Sequence, residues 1–151
     1  MNPTVAQRLR SHGIQPSAQR LAVAGYVLTT EDHPSADQVF ARVASQVPML
    51  SRATVYNTLN LFVAKGLLRP LVLSEGKVVF DPHTERHHHF IDEDSGAIHD
   101  IPWDAVPVGD VSRLKGLQIN DYMVVMRGKK LGAPRPSSKS KSHANKRRAT
   151  T

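Results

Sequence analysis

The stretch Phe80-Asp81-Pro82-His83-Thr84-Glu85-Arg86-His87-His88-His89-Phe90 concentrates the side chains able to do chemistry. Three consecutive histidines follow a carboxylate that ends an apolar strand pattern, Val78-Val79-Phe80-Asp81. Successive side chains of a strand point to opposite faces, so His87 and His89 share one face and His88 takes the other. Two imidazoles on one face, with Asp81 upstream and Asp100 after the next short apolar run, make a nitrogen/oxygen cage suited to a divalent metal. Any one of these histidines alone would read as an ordinary polar strand position. The cluster together with two aspartates reads as a metal site.

A second chemistry sits upstream. Ser51 caps a helical pattern running from Arg52 to Lys65 and closed by Gly66. Val55, Leu59, Phe62 and Val63 form one apolar face, while Arg52, Thr54, Tyr56, Asn57 and Asn60 lie away from it. A helix of that length spans about 20 Å and fits the DNA major groove. Asn amides can pair with an adenine edge, Tyr and Thr can meet a thymine methyl or a phosphate, and Arg can reach guanine or phosphate. Asn57 and Asn60 are poor helix formers, which favours a role beyond local propensity.

The flanking pattern supplies elements to position both sets. Pro3 to Arg10 predicts a short helix ended by His12-Gly13. Pro16-Ser17 opens a second, with Leu21, Val23, Ala24, Val27 and Leu28 as its apolar stripe and Arg20 outside it. Ser35 caps a third that carries Val39, Phe40, Val43 and Val47 inward until Pro48 stops it. After Gly66, residues 67–73 and Val78 to Phe80 read as two strands joined by a turn at Ser74-Glu75-Gly76-Lys77. Three helices and a β-hairpin make a winged helix-turn-helix with Lys77 at the wing tip. Arg20 and Lys77 thus join the candidate DNA contacts. His87 to Asp92, Ala97 to Ile101 and Ile119 to Met126 predict three further strands. So small a sheet cannot bury both faces alone, which predicts a homodimer and, with it, a palindromic operator in double-stranded DNA.

The fold class is therefore α+β: a winged helix-turn-helix over residues 1–81, a small α/β dimerisation and sensing domain over 82–131, and a disordered basic tail over 132–151. The charge follows the same division. Of the net +7, residues 1–80 contribute +4, residues 81–131 contribute −3 and the tail +6. A basic half, an acidic middle and a basic end suit contact with a polyanion, retention of a cation and non-specific attraction. The absence of cysteine excludes disulfides and thiolate zinc sites. With no apolar run of membrane-spanning length and no signal-peptide core, the expectation is a soluble cytoplasmic protein without a membrane partner.

Over roughly residues 3–130 the chain resembles the ferric uptake regulator superfamily. The resemblance is carried by His33-Pro34-Ser35-Ala36-Asp37, the run Ser51 to Leu59, Gly66-Leu67-Leu68, Phe80-Asp81, the histidine triplet, and Gly96-Ala97-Ile98-His99-Asp100-Ile101. It implies a dimeric repressor of iron homeostasis or the peroxide response, with N-terminal winged helices and a regulatory metal at the hinge. The family's hinge site falls on His33, Asp81, His87, His89 and Asp100. Three imidazoles and two carboxylates suit Fe²⁺ or Mn²⁺ and also admit Zn²⁺.

Departures from the family pattern matter as much. Asp92 and Ser95 stand where many relatives carry the first cysteine pair of a structural zinc site, so no structural zinc held by four cysteines is expected. Arg86, Pro107 and Tyr122 replace ligands of the family's second metal site and leave His88 alone there. The five-donor set is similar to that of the peroxide-sensing branch. The triplet, the Tyr56-Asn57-Thr58-Leu59-Asn60 run and the cysteine-free body are similar to the iron response regulators, whose histidine cluster is associated with haem, which makes His88 a possible haem or second-metal ligand. Two other classes stand beside these. One is a small His/Asp metalloenzyme, for which the cluster leaves no spare general base or nucleophile. The other is an architectural DNA binder in which metal is only structural.

Overall fold

The structure, a computed structural model, describes residues 1–73 and 76–132. Among these residues the elements are α1 (Val5–Ser11), α2 (Ala18–Val27), α3 (Ala36–Val43), α4 (Arg52–Ala64), β1 (Arg69–Val72), β2 (Val78–Asp81), β3 (His87–Asp92), β4 (Ile98–Pro102) and β5 (Val125–Gly128). Two 3₁₀ turns, Trp103–Ala105 and Val111–Arg113, lie between β4 and β5. The α-helices thus all fall before the hairpin and the larger sheet after it, an α+β arrangement. Nearly all of the expected tail, and Ser74-Glu75 of the expected wing turn, lie outside the described residues.

Each helix starts where a hydroxyl can satisfy an orphan amide. Thr4 and Ser35 form capping boxes with Gln7 and Gln38, and Ser17 and Ser51 accept from the amides of Arg20 and Thr54. The end of α4 is equally defined. Gly66 has φ 78°, its amide bonds to the carbonyl of Val63, and the amide of Leu67 reaches back 2.9 Å to that of Phe62. This glycine-terminated motif buries Leu67 near Phe62 and turns the chain directly into β1.

Leu9, Val23, Val27, Val39, Val43, Val55, Leu59 and Phe62 close the helical core, each with no exposed surface. The expected faces hold for α4: Tyr56, Asn57 and Asn60 are exposed opposite Val55 and Leu59. Three local readings change. Leu21 is exposed, because the buried face of α2 follows Val23, Ala24 and Val27. Helix α3 ends at Val43, a turn before Pro48. The last strand is Val125–Gly128, shorter and later than the apolar run that suggested it.

β1 and β2 form an antiparallel hairpin, and β3 is central in a three-stranded sheet of order β4-β3-β5. β3 runs antiparallel to β4, with His89 opposite Asp100, and parallel to β5. The hairpin and the sheet touch. Leu71 and Val79 pack with Ile91 and Ile98, flanked by Leu73, Met123 and Val125. Arg69 on β1 also pairs with Asp121 ahead of β5. No helix among the described residues is long and apolar enough to cross a membrane.

The two faces of α4 predict opposite responses to truncation. Leu59→Ala should cost about 2–5 kcal/mol of unfolding free energy, whereas Asn57→Ala should fall within about 0.5 kcal/mol of wild type. Urea denaturation followed by circular dichroism measures both, and equal losses would refute the face assignment.

Candidate metal centre

Five side chains from four elements of the chain point into one small volume. His33 comes from the loop before α3, Asp81 ends β2, His87 and His89 lie on one face of β3, and Asp100 faces His89 from β4. Asp81 Oδ2 lies 3.2, 2.7 and 3.1 Å from the Nε2 atoms of His33, His87 and His89. Asp100 Oδ1 lies 2.7, 3.4 and 3.6 Å from the same three atoms. Donor atoms of His33, Asp81, His89 and Asp100 all fall within 4.8 Å of one another. His87 Nε2 joins them at 3.0 Å from His89 Nε2. Adjacent ligands about 2.1 Å from an ion lie about 3 Å apart, so these spacings suit one shared cation.

The hydrogen bonds fix which ring nitrogen faces inward. His33 Nδ1 lies 2.9 Å from the carbonyl of Glu31 and His87 Nδ1 lies 2.7 Å from that of Glu85. A carbonyl only accepts, so each Nδ1 carries a hydrogen and donates it. In a neutral ring, Nε2 then presents a lone pair to the carboxylates, the arrangement that outer hydrogen bonds impose on metal-binding histidines. His89 Nδ1 is buried without a hydrogen-bond partner. Lone pairs of three imidazoles and two carboxylates facing one another repel unless a cation sits among them. The donor set fits a divalent ion.

The electrostatics carry the same demand. Burial pulls the His33 pKa down, but the hydrogen bonds and charges of Asp81 and Asp100 outweigh it and raise the value to about 9. Burial would push the Asp81 carboxyl up, yet hydrogen bonds from His33, His89 and the His83 amide hold it far below the usual carboxylate range. A proton on His33 thus supplies the positive charge that an ion would otherwise bring, and the two compete. His33 also has φ 51°, the one non-glycine residue with positive φ among those described. Such a conformation costs on the order of 1–3 kcal/mol and persists where surrounding structure over-determines it. Here the Phe80 amide holds the Pro34 carbonyl at 2.9 Å, pinning the loop to β2.

His88 points the other way and is spoken for. Its Nδ1 accepts from the Val124 amide at 3.0 Å, its Nε2 therefore donates to the Trp103 carbonyl at 3.2 Å, and its ring stacks on Trp103 at 4.5 Å. Both nitrogens serve the sheet, so the expected haem or second-metal role for His88 would require one of these hydrogen bonds to be given up. Arg86 and Tyr122 do meet, but as a cation–π pair, with the guanidinium also over Trp103 and 3.8 Å from Asp121. At the β3–β4 turn, Ser95 Oγ donates to Asp92 Oδ2 at 2.7 Å and the Asp94 amide to Asp92 Oδ1 at 3.1 Å, closing the turn without cysteine.

One residue at the centre escaped the sequence reading. His83 Nδ1 lies 2.7 Å from Asp100 Oδ2, and its amide donates to Asp81 Oδ1 at 2.8 Å. Its signal was the Asp-Pro-His spelling of a turn closed by the aspartate's own side chain. Among the candidate DNA contacts, Tyr56, Asn57, Asn60 and Lys77 are exposed and Thr54 is half-buried. Arg20 donates to the Gln15 carbonyl at 2.9 Å. Arg52 is engaged, paired with Asp37 and lying over the Phe40 ring at 4.9 Å, so as placed it ties α4 to α3.

The sequence profile of the ferric uptake regulator family matches residues 11–127. The peroxide-responsive repressor PerR of Staphylococcus aureus (strain Mu50) is 34% identical over 95 residues, 63% of this chain and 64% of that protein. The chain thus spans just under two thirds of this curated relative's length. The Vibrio cholerae ferric uptake regulator superposes with a TM-score of 0.63 at 25% identity, covering 83% of this chain and 98% of that one. The Campylobacter jejuni peroxide stress regulator gives 0.63 at 25% identity, covering 83% and 96%. A zinc-bound manganese uptake regulator shares the fold, with a TM-score of 0.63 at 22% identity over 85% of this chain and all of that one.

Calorimetric titration with Mn²⁺ or Zn²⁺ should fill one site per chain at this centre, and Asp81→Ala or His33→Ala should empty it. His88→Ala should keep that ion yet cost about 1–3 kcal/mol of stability, the penalty for two lost buried hydrogen bonds. Loss of the ion in the His88 variant would contradict the separation of the two faces.

Proposed function

The chain belongs to the ferric uptake regulator family, and on that premise we propose that it is a metal-dependent, dimeric, DNA-binding transcriptional repressor whose ion sits at the junction of its two halves. The observation that carries this reading is the convergence of His33, from the helical half, with His87 and His89, from the sheet, on the single carboxylate of Asp81, while Asp100 of the sheet faces the same three rings. In this reading residues 1–81 bind DNA, residues 82–131 dimerise and sense, and the site takes Fe²⁺ or Mn²⁺, with Zn²⁺ as a substitute. When bound, the ion supplies a positive centre that all five donors share.

The chain's own residues turn that sharing into a change of shape. His33 moves with α2, α3 and α4, whereas His87, His89 and Asp100 move with the sheet. Holding them together fixes the angle between the halves, and in a two-fold dimer it fixes the separation of the two α4 helices. Metal favours the DNA-competent shape only by the difference in its affinity for that shape and the alternatives. Thr54, Tyr56, Asn57 and Asn60 then read a palindromic duplex, and Lys77 and Arg20 meet phosphate. Six Lys/Arg and no Asp/Glu over residues 132–151 add attraction that is indifferent to sequence and sensitive to salt.

Peroxide is the signal we assign. The five donors match a peroxide-type set, the S. aureus relative is named a peroxide-responsive repressor, and His88 has no nitrogen left for haem iron. Loss of a histidine donor on oxidation would release the hinge. A repressor is also preferred to a metalloenzyme, since catalytic metal sites commonly keep three protein ligands and an open position, whereas five protein donors converge here.

A duplex selected from random sequence in the presence of Mn²⁺ tests the proposal. Mn²⁺ should raise affinity for it by about 5–150-fold, and chelation or Asp81→Ala should erase that gain. Asn57→Ala should cost about 1–3 kcal/mol on the selected duplex and little on random DNA. Peroxide given to the Fe²⁺-loaded protein should release the duplex, with mass spectrometry locating added oxygen on His33, His87 or His89. Selected binding that ignored chelation would point instead to an architectural DNA binder, and release by haem but not peroxide would reassign the signal.

A further inference from the structure

His83 touches both carboxylates of the centre from the outside. Its amide donates to Asp81 Oδ1 at 2.8 Å, and its ring Nδ1 lies 2.7 Å from Asp100 Oδ2 and 3.4 Å from Asp81 Oδ1. The oxygens facing the three imidazoles are the other two, Asp81 Oδ2 and Asp100 Oδ1. One residue therefore holds the outward oxygen of each carboxylate while the inward oxygen is presented to the centre. Local sequence makes this possible. Asp81 closes a turn on the amide two residues ahead, and Pro82 between them has its φ fixed by its ring, so His83 folds back over the carboxylate it follows.

The two carboxylates differ in how much they need such help. Asp81 is sealed, with 2% of its side chain exposed, whereas 29% of the Asp100 side chain is exposed. Asp100 borders an open cavity of about 710 Å³ that is also lined by Glu31, His83, Glu85 and His87. His33 meets the inward oxygen of Asp100, and the His83 ring holds the outward oxygen that faces this rim. The ring itself is exposed and carries no part of either hydrophobic core. Structural duty does not account for its place.

We infer that His83 is a positioning residue for the metal centre: it orients Asp100 through its ring and Asp81 through its amide, and so closes the cage on the side facing the cavity. This rests on the metal-centre reading above. In this role Nδ1 carries a hydrogen and donates it to Asp100 Oδ2, so His83 acts through the carboxylate and does not bind the ion. Outer partners of this kind typically change metal affinity by about 10–100-fold when removed.

The role separates cleanly from ligation because an asparagine amide can place an N–H donor close to where the imidazole Nδ1 lies. Full-length wild type, His83→Ala, His83→Asn and Asp81→Ala would be titrated with Co²⁺, reading the Co²⁺ visible spectrum and the rate of ion loss to chelator. His83→Ala should bind one Co²⁺ per chain about 10–100-fold more weakly, with faster release and an altered spectrum. His83→Asn should return affinity and spectrum close to wild type, and the metal-free proteins should melt together, as exposed positions allow. Wild-type affinity in His83→Ala would overturn the inference while leaving the metal centre standing, and failure of His83→Asn to rescue would overturn it in favour of direct ligation. If wild type took up no Co²⁺, or Asp81→Ala took it up equally well, the metal-centre reading would fall and this inference with it.

Discussion

Asp81 Oδ2 within reach of three imidazole nitrogens is the contact on which the rest of the structure depends. A carboxylate with 1% of its surface exposed is expensive to bury unless its charge is met, and removing its partners would leave that charge uncompensated. The fold surrounds it accordingly. His33 arrives in a strained backbone conformation, β3 supplies two histidines from one face, and the turn that follows Asp81 returns an amide to its second oxygen. A positive charge at the centre meets the buried carboxylate and the facing imidazole lone pairs together, whether it comes as a proton shared with His33 or as a divalent ion.

Around that centre the two halves meet through contacts of a different kind. Leu71 and Val79 from the hairpin pack on Ile91 and Ile98 of the sheet, and Arg69 pairs with Asp121. Apolar packing of this sort is non-directional and does not depend on an ion, whereas the polar cage is directional and does. The junction therefore combines a contact tolerant of small rotations with one that selects among them. That combination suits a hinge better than either contact alone.

The sheet supports the cage without cysteine. His88, facing away from the metal donors, bonds to Val124 and Trp103 and stacks on the indole, and Arg86 lies over Trp103 and Tyr122. The Asp92–Ser95 hydrogen bond closes the β3–β4 turn. In consecutive positions of one strand, then, His87 and His89 face the two aspartates and His88 braces the sheet. Alternation along the strand is what keeps those duties apart.

Much of this was legible in the residues themselves. The hydroxyl caps at Ser35 and Ser51, the closure of α4 at Gly66, the exposed row Tyr56, Asn57 and Asn60, and the division of the histidine triplet between two faces all follow from local rules of period, capping and backbone freedom. Those rules act over a few residues, so a sequence states them directly. Leu21, the late start of β5 and its parallel pairing with β3, the pairing of Arg52 with Asp37, and the engagement of both His88 nitrogens were not legible. Each is decided by what another segment brings to it. The same holds for His83, whose spelling predicts only a turn. That it lies over Asp100, seventeen residues away in sequence, is settled by the β3–β4 register and the docking of the hairpin on the sheet. Residue types determined which donors exist and which face each takes. Only packing at a distance decided which of them share one point in space.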